Sequence, residues 1–130
     1  MLRRLALFVG ALLLFVALPV SDALAAAVRW TNAAGGNWSV TTNWSTGAVP
    51  AATDTAVFDL AGTYTVTVNP TTLTIAGLRI SGAASGVQTV SAASGRTLTF
   101  NGPVIVGAQG VHTLGGATVN GTGGYTVDGT

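Results

Sequence analysis

The chain has 130 residues, among them five arginines, four aspartates, one histidine and 18 glycines, with no lysine, glutamate or cysteine. So sparse a set of ionisable groups leaves little for acid, base or nucleophilic chemistry, and without cysteine no disulfide can staple the fold. With residues 1–25 set aside, Arg29, Arg79 and Arg96 balance Asp54, Asp59 and Asp128, so no basic surface for nucleic acid is expected.

Residues 1–25 read as an export signal. Arg3 and Arg4 supply the positive start, "LALFVGALLLFVALPV" the apolar core, and "ALA" at Ala23 to Ala25 a small-residue cleavage site. The apolar run from Leu5 to Val20 is shorter than the ~20 residues a spanning helix needs, and Pro19 interrupts its end. The expectation is a signal-peptide helix that is removed, leaving a chain that starts at Ala26 or, after a second small-residue site, at Val28. The product would be exported, to the cell surface, the outer membrane or the extracellular space.

Residues 26–58 differ in kind from the rest of the chain, with tryptophan, asparagine and proline in place of regular alternation. All three tryptophans, Trp30, Trp38 and Trp44, lie here, beside Asn37 and Asn43. Three roles fit them: large apolar rings that cap the first layer of a stacked fold, a platform of ring faces and amides that contacts carbohydrate, or a protein contact surface. Asp54 reads as the turn residue at the entry to "TAVF". Paired with Asp59 as a glycosidase dyad it fails, because an extended segment holds the two about 16 Å apart, whereas both hydrolytic geometries need roughly 5–9.5 Å.

Residues 59–130 have one texture: short runs such as "TYTVTV", "LTIAGLRI", "VQTV", "RTLTF", "VIV", "VHTL", "ATVN" and "YTV", separated by glycine-containing breaks. No helical period is present. In "TYTVTV" the alternation puts Tyr64, Val66 and Val68 on one face and Thr63, Thr65 and Thr67 on the other. Across Gly77 the apolar phase shifts from Leu73 and Ile75 to Leu78 and Ile80, which predicts a bulge or a corner. Strands this short suit a stack of coils, where each pairs with the coil above and below; a sandwich of hairpins favours longer strands. The expected architecture is all-β, a right-handed parallel β-helix-like solenoid of about three coils with an N-terminal Trp-rich cap. The coils are expected to continue beyond Thr130.

The remaining features are weaker. His112 is the only histidine and cannot build a multi-histidine metal site; it is expected at the surface or a corner. No cofactor is implied by any motif. Three Asn-x-Ser/Thr triplets, at Asn37, Asn43 and Asn120, match the glycosylation acceptor pattern but need not be used.

The order W, GG-N-W-S, N-W-S-x-G-x-x-P and D-T-A-V-F is carried by Trp30, Gly35, Gly36, Asn37, Trp38, Ser39, Asn43, Trp44, Gly47, Pro50, Asp54, Thr55, Ala56 and Phe58. It resembles the N-terminal segment of bacterial surface proteins with autotransporter-associated β-strand repeats and of related secreted β-helix proteins. Thr53 stands where many of those proteins have glycine. The resemblance implies a non-catalytic passenger segment with a structural or adhesive role, meeting a surface polysaccharide or a host or neighbouring cell. It leaves two other classes open: the first part of a β-helix polysaccharide-active enzyme, and a small carbohydrate-binding module built on the tryptophans. Uncovered strand edges at the C-terminal end, with almost no charge to keep copies apart, imply self-association there.

Overall fold

Among the residues described by a computed structural model, 25–80 and 85–127, the short threonine- and valine-rich runs become strands and the glycine-containing breaks between them become corners. The first part of the chain supplies β1 (Ala27–Arg29), β2 (Gly36–Asn37) and β3 (Thr55–Phe58). Three regular coils come next: β4 (Tyr64–Val68), β5 (Thr72–Ile75) and β6 (Gly77–Ile80); β7 (Gln88–Ala92), β8 (Thr97–Phe100) and β9 (Val104–Val106); β10 (Gly110–Thr113), β11 (Thr118–Gly121) and β12 (Tyr125–Val127). From β3 onward every third strand falls into the same sheet. Sheet I runs β1-β3-β6-β9-β12, sheet II runs β2-β4-β7-β10, and sheet III runs β5-β8-β11, with all strand pairs parallel.

The chain is therefore a β-solenoid of about four turns. The count exceeds the expected three coils because the Trp-rich segment is itself part of the stack. β1 and β3 pair within sheet I and β2 pairs with β4, so the compositional boundary at residue 58 does not interrupt the sheets. The expected signal helix lies outside the described residues.

The interior is built from columns of side chains, one from each coil. The register stacks Val28, Ala56, Leu78 and Val104, and beside them Phe58, Ile80 and Val106. Sheet II contributes Val66 over Val90 and Val68 over Ala92, sheet III Leu73 over Leu98 and Ile75 over Phe100. All of these are buried. The alternation in β4 is inward for Tyr64, Val66 and Val68, outward for Thr65 and Thr67, which is the face pattern that the sequence alone requires. Between β5 and β6 the single residue Ala76 turns the corner from sheet III to sheet I. The phase shift at Gly77 is this corner.

Corners are tied by side chains. Asn69 Nδ2 donates to Ser39 Oγ at 2.7 Å, its Oδ1 accepts from the Ser39 amide at 3.0 Å, and its carbonyl accepts from Arg96 Nη1 at 2.5 Å. One corner asparagine thus links successive coils, satisfying backbone groups that no strand ladder reaches. Gly35 sits where a neighbouring coil passes close by. It has φ +76, and a Cβ there would overlap the Thr65 carbonyl oxygen, so both conformation and space demand glycine.

Candidate functional site

The Trp-rich segment closes the N-terminal end of the stack. Trp30 follows β1 in register with Phe58, and its amide donates to the Val57 carbonyl at 2.9 Å. Trp38 follows β2, and its amide donates to the Thr67 carbonyl at 2.9 Å, placing it on the column of Val68 and Ala92. A 3-10 turn at Thr41–Asn43 then returns the chain so that Trp44 bridges Trp30 in the antiparallel sense. The Ser45 amide donates to the Arg29 carbonyl and the Thr31 amide to the Asn43 carbonyl. The outer edge of β1 is thereby occupied by a reversed segment, which removes the parallel template from that edge of sheet I.

The three rings meet in the interior. Trp44 packs edge-on against Trp30 and Trp38, with centroids 5.1 and 4.8 Å apart, and Phe58 lies 5.6–6.0 Å from all three. Each ring is only 1–2% exposed, so none offers a face on which a sugar could stack. Trp44 Nε1 donates to the Trp38 carbonyl at 2.8 Å and Trp30 Nε1 to the Asn32 carbonyl at 2.6 Å, while Trp38 Nε1 is buried with no protein partner. Asn43 is also buried; its Oδ1 accepts from Asn32 Nδ2 and its carbonyl from the Thr31 hydroxyl, each at 3.0 Å. Asn37 is exposed, on the outer face of β2. The two asparagines thus do different work: Asn43 serves the packed end and Asn37 faces solvent.

Asp54 is the turn residue the sequence implies. Its Oδ2 accepts from the Ala51 amide at 2.8 Å, its own amide donates back to the Ala51 carbonyl, and its carbonyl accepts from the Ala76 amide. Asp59 lies past the other end of β3, in an ion pair with Arg29.

That ion pair belongs to a site the sequence does not reveal. The outer face of sheet I carries an open concavity of about 500 Å³ lined by Ala25, Ala27, Arg29, Thr55, Val57, Asp59 and Arg79. The register sets Arg29, Val57 and Arg79 side by side on successive strands. Arg29 is held by Asp59, whereas Arg79 has no ion-pair partner among the described residues. The arrangement can seat a carboxylate or similar anion. Arg29 and Arg79 are fifty positions apart, and only the coil register unites them. The Arg29–Asp59 pair is solvent-exposed, so Asp59→Asn is expected to lower stability by less than about 1 kcal/mol in urea denaturation.

His112 is placed differently from the expectation. It points inward from β10, in register with Val90 and Val66, because the phase of β10 is fixed by pairing with β7. Its ring stacks on Tyr125 at 6.0 Å, Nδ1 meets the Tyr125 hydroxyl at 2.8 Å, and Nε2 is buried without a protein partner. Burial pushes the imidazole from its ordinary 6.5 down to about 4. The unfolded chain therefore binds a proton that the folded chain refuses. Stability is full above the unfolded value near 6.5 and falls as the pH drops toward about 4. His112→Val, which extends the valine column, should flatten the dependence of the urea midpoint on pH between 7.5 and 4.5; an unchanged slope would show that other groups set it.

Among the described residues no group of three or more histidine, cysteine or acidic side chains is positioned to hold a metal, and no helix is long and apolar enough to cross a membrane. Comparisons of this chain with known protein families, with characterised proteins and with solved structures find no match.

Proposed function

We propose that the chain is an exported, non-catalytic β-solenoid segment of a cell-surface passenger, with a structural or adhesive role. The observation that carries this reading is the stack itself, a parallel β-solenoid with a buried aromatic cap. At one end the Trp30–Trp38–Trp44 cluster and the reversed segment 43–45 cover the first coil. At the other, the inward positions Tyr125 and Val127 of the last described coil stand 47% and 58% exposed. Stacked coils sealed by buried aromatic rings at the first turn present repetitive outer faces, which suit a structural or adhesive role. The chemistry agrees, since both carboxylates of the described residues are committed, Asp54 to a turn and Asp59 to an ion pair.

Expression of the tagged chain in a bacterial host tests the reading. The expected outcome is a product that begins at Ala26 or Val28 by intact mass and is cleaved by protease added to whole cells. A product that keeps Met1 and stays protected inside the cytoplasm would overturn it. The carbohydrate-binding alternative requires a tryptophan face to open; retention on a polysaccharide column that is lost in Trp44→Ala without loss of stability would favour it.

A further inference from the structure

The three outer faces of the solenoid are not alike. Sheet I carries Arg29, Val57, Arg79 and Ile105 in one row, and sheet II mixes threonine with serine and valine, as in Thr65–Thr89–Val111 and Thr67–Ser91–Thr113. Sheet III is uniform. Its register places Thr72, Thr97 and Thr118 in one row and Thr74, Thr99 and Asn120 in the next. Each strand therefore reads Thr-x-Thr or Thr-x-Asn, with the intervening Leu73, Leu98 and Val119 pointing inward.

We propose that this face binds ice. Threonines in register on parallel strands repeat at about 4.8 Å across the strands and about 6.7 Å along them. These two spacings lie close to the oxygen repeats of hexagonal ice along its a and c axes. Threonine is β-branched and stiff at χ1, so little side-chain entropy is lost when water orders against the two rows. Among the described residues the threonine hydroxyls engaged in hydrogen bonds, those of Thr31, Thr46, Thr63 and Thr122, lie elsewhere.

The electrical character fits an uncharged lattice. Neither row holds a charged residue, and Arg96, at the edge of the face, is drawn to the corner by its bond to the Asn69 carbonyl. A crystalline polysaccharide is a poorer occupant, because the face offers no aromatic ring to stack on a sugar. The inference does not depend on export or on an adhesive role, since the purified chain itself either does or does not bind ice.

The test is ice growth in the presence of the purified chain, observed as crystal shape and as the gap between melting and freezing temperatures. The expected result is faceted crystals and a measurable gap. Thr99→Lys, which sets a long hydrated cation in the centre of the face, should abolish both while leaving the melting curve of the protein unchanged. Thr89→Lys on sheet II should leave both intact. If Thr99→Lys loses its fold, Thr99→Val, which keeps the branched shape and removes one hydroxyl, should narrow the gap. Unshaped crystals with the unaltered chain, equal loss in the sheet II variant, or retention on chitin or cellulose without any effect on ice would each overturn the proposal.

Discussion

Trp44→Ala is expected to remove about 3–5 kcal/mol of stability, the usual cost of deleting a fully buried large aromatic. Trp44 is 2% exposed and touches Trp30, Trp38 and Phe58, so its loss opens a cavity among three rings that cannot close without moving β1. The substitution also leaves the Trp38 carbonyl, which accepts from Trp44 Nε1, without its donor. For a small domain each kcal/mol shifts the melting temperature by about 4–8 °C, so thermal unfolding followed by circular dichroism reads the effect directly. A melting curve equal to that of the unaltered chain would mean that the rings do not hold the end of the stack. Trp44→Phe, which keeps an aromatic ring but loses the indole donor, should fall between the two.

The second large effect is expected at the other end. β10, β11 and β12 are the outermost strands of their sheets among the described residues, and the interior behind them is thinly covered: Val119, Tyr125 and Val127 are 38%, 47% and 58% exposed. Unpaired strand edges recruit other strands. Beyond residue 25 the arginines and aspartates balance, so little repulsion opposes contact. At the opposite end residues 43–45 occupy the outer edge of β1, so sheet I offers no parallel template there. The chain should therefore dimerise end to end and stop there, as an isologous contact does. Sedimentation over a concentration series should show a monomer–dimer equilibrium, and Val119→Lys with Val127→Lys should shift it to monomer. A stable monomer from micromolar to millimolar concentration, or an open-ended fibre, would contradict this.

Much of the fold is legible in the sequence because a solenoid asks so little of long-range information. Strand alternation in "TYTVTV" fixes which side chains of β4 point inward, and glycine-containing breaks mark corners, since both are decided within a few residues. The turn at Asp54 is equally local: a side-chain oxygen accepting from the Ala51 amide needs only neighbours in the chain.

What lay beyond the sequence depends on coil length. The count of about four turns results from β1, β2 and β3 pairing into the stack, and strands of two to four residues carry no periodic signal of their own. His112 reads as a surface or corner residue from its flanks, and only pairing of β10 with β7 turns it inward beside Tyr125. The concavity formed by Arg29, Asp59 and Arg79, and the two ranks of threonine on sheet III, likewise exist only once the register is set. The sequence by itself determined the all-β character, the short strands, the inward face of β4 and the concentration of aromatic mass at the N-terminal end. Tertiary structure alone decided which residues from different coils share a row. Facing is a property of neighbours in the chain, whereas register is set by pairing between coils of unequal length, with Thr55 beside Gly77, Leu78 beside Val104 and Val104 beside Tyr125, so no fixed repeat in the sequence announces which residues share a row.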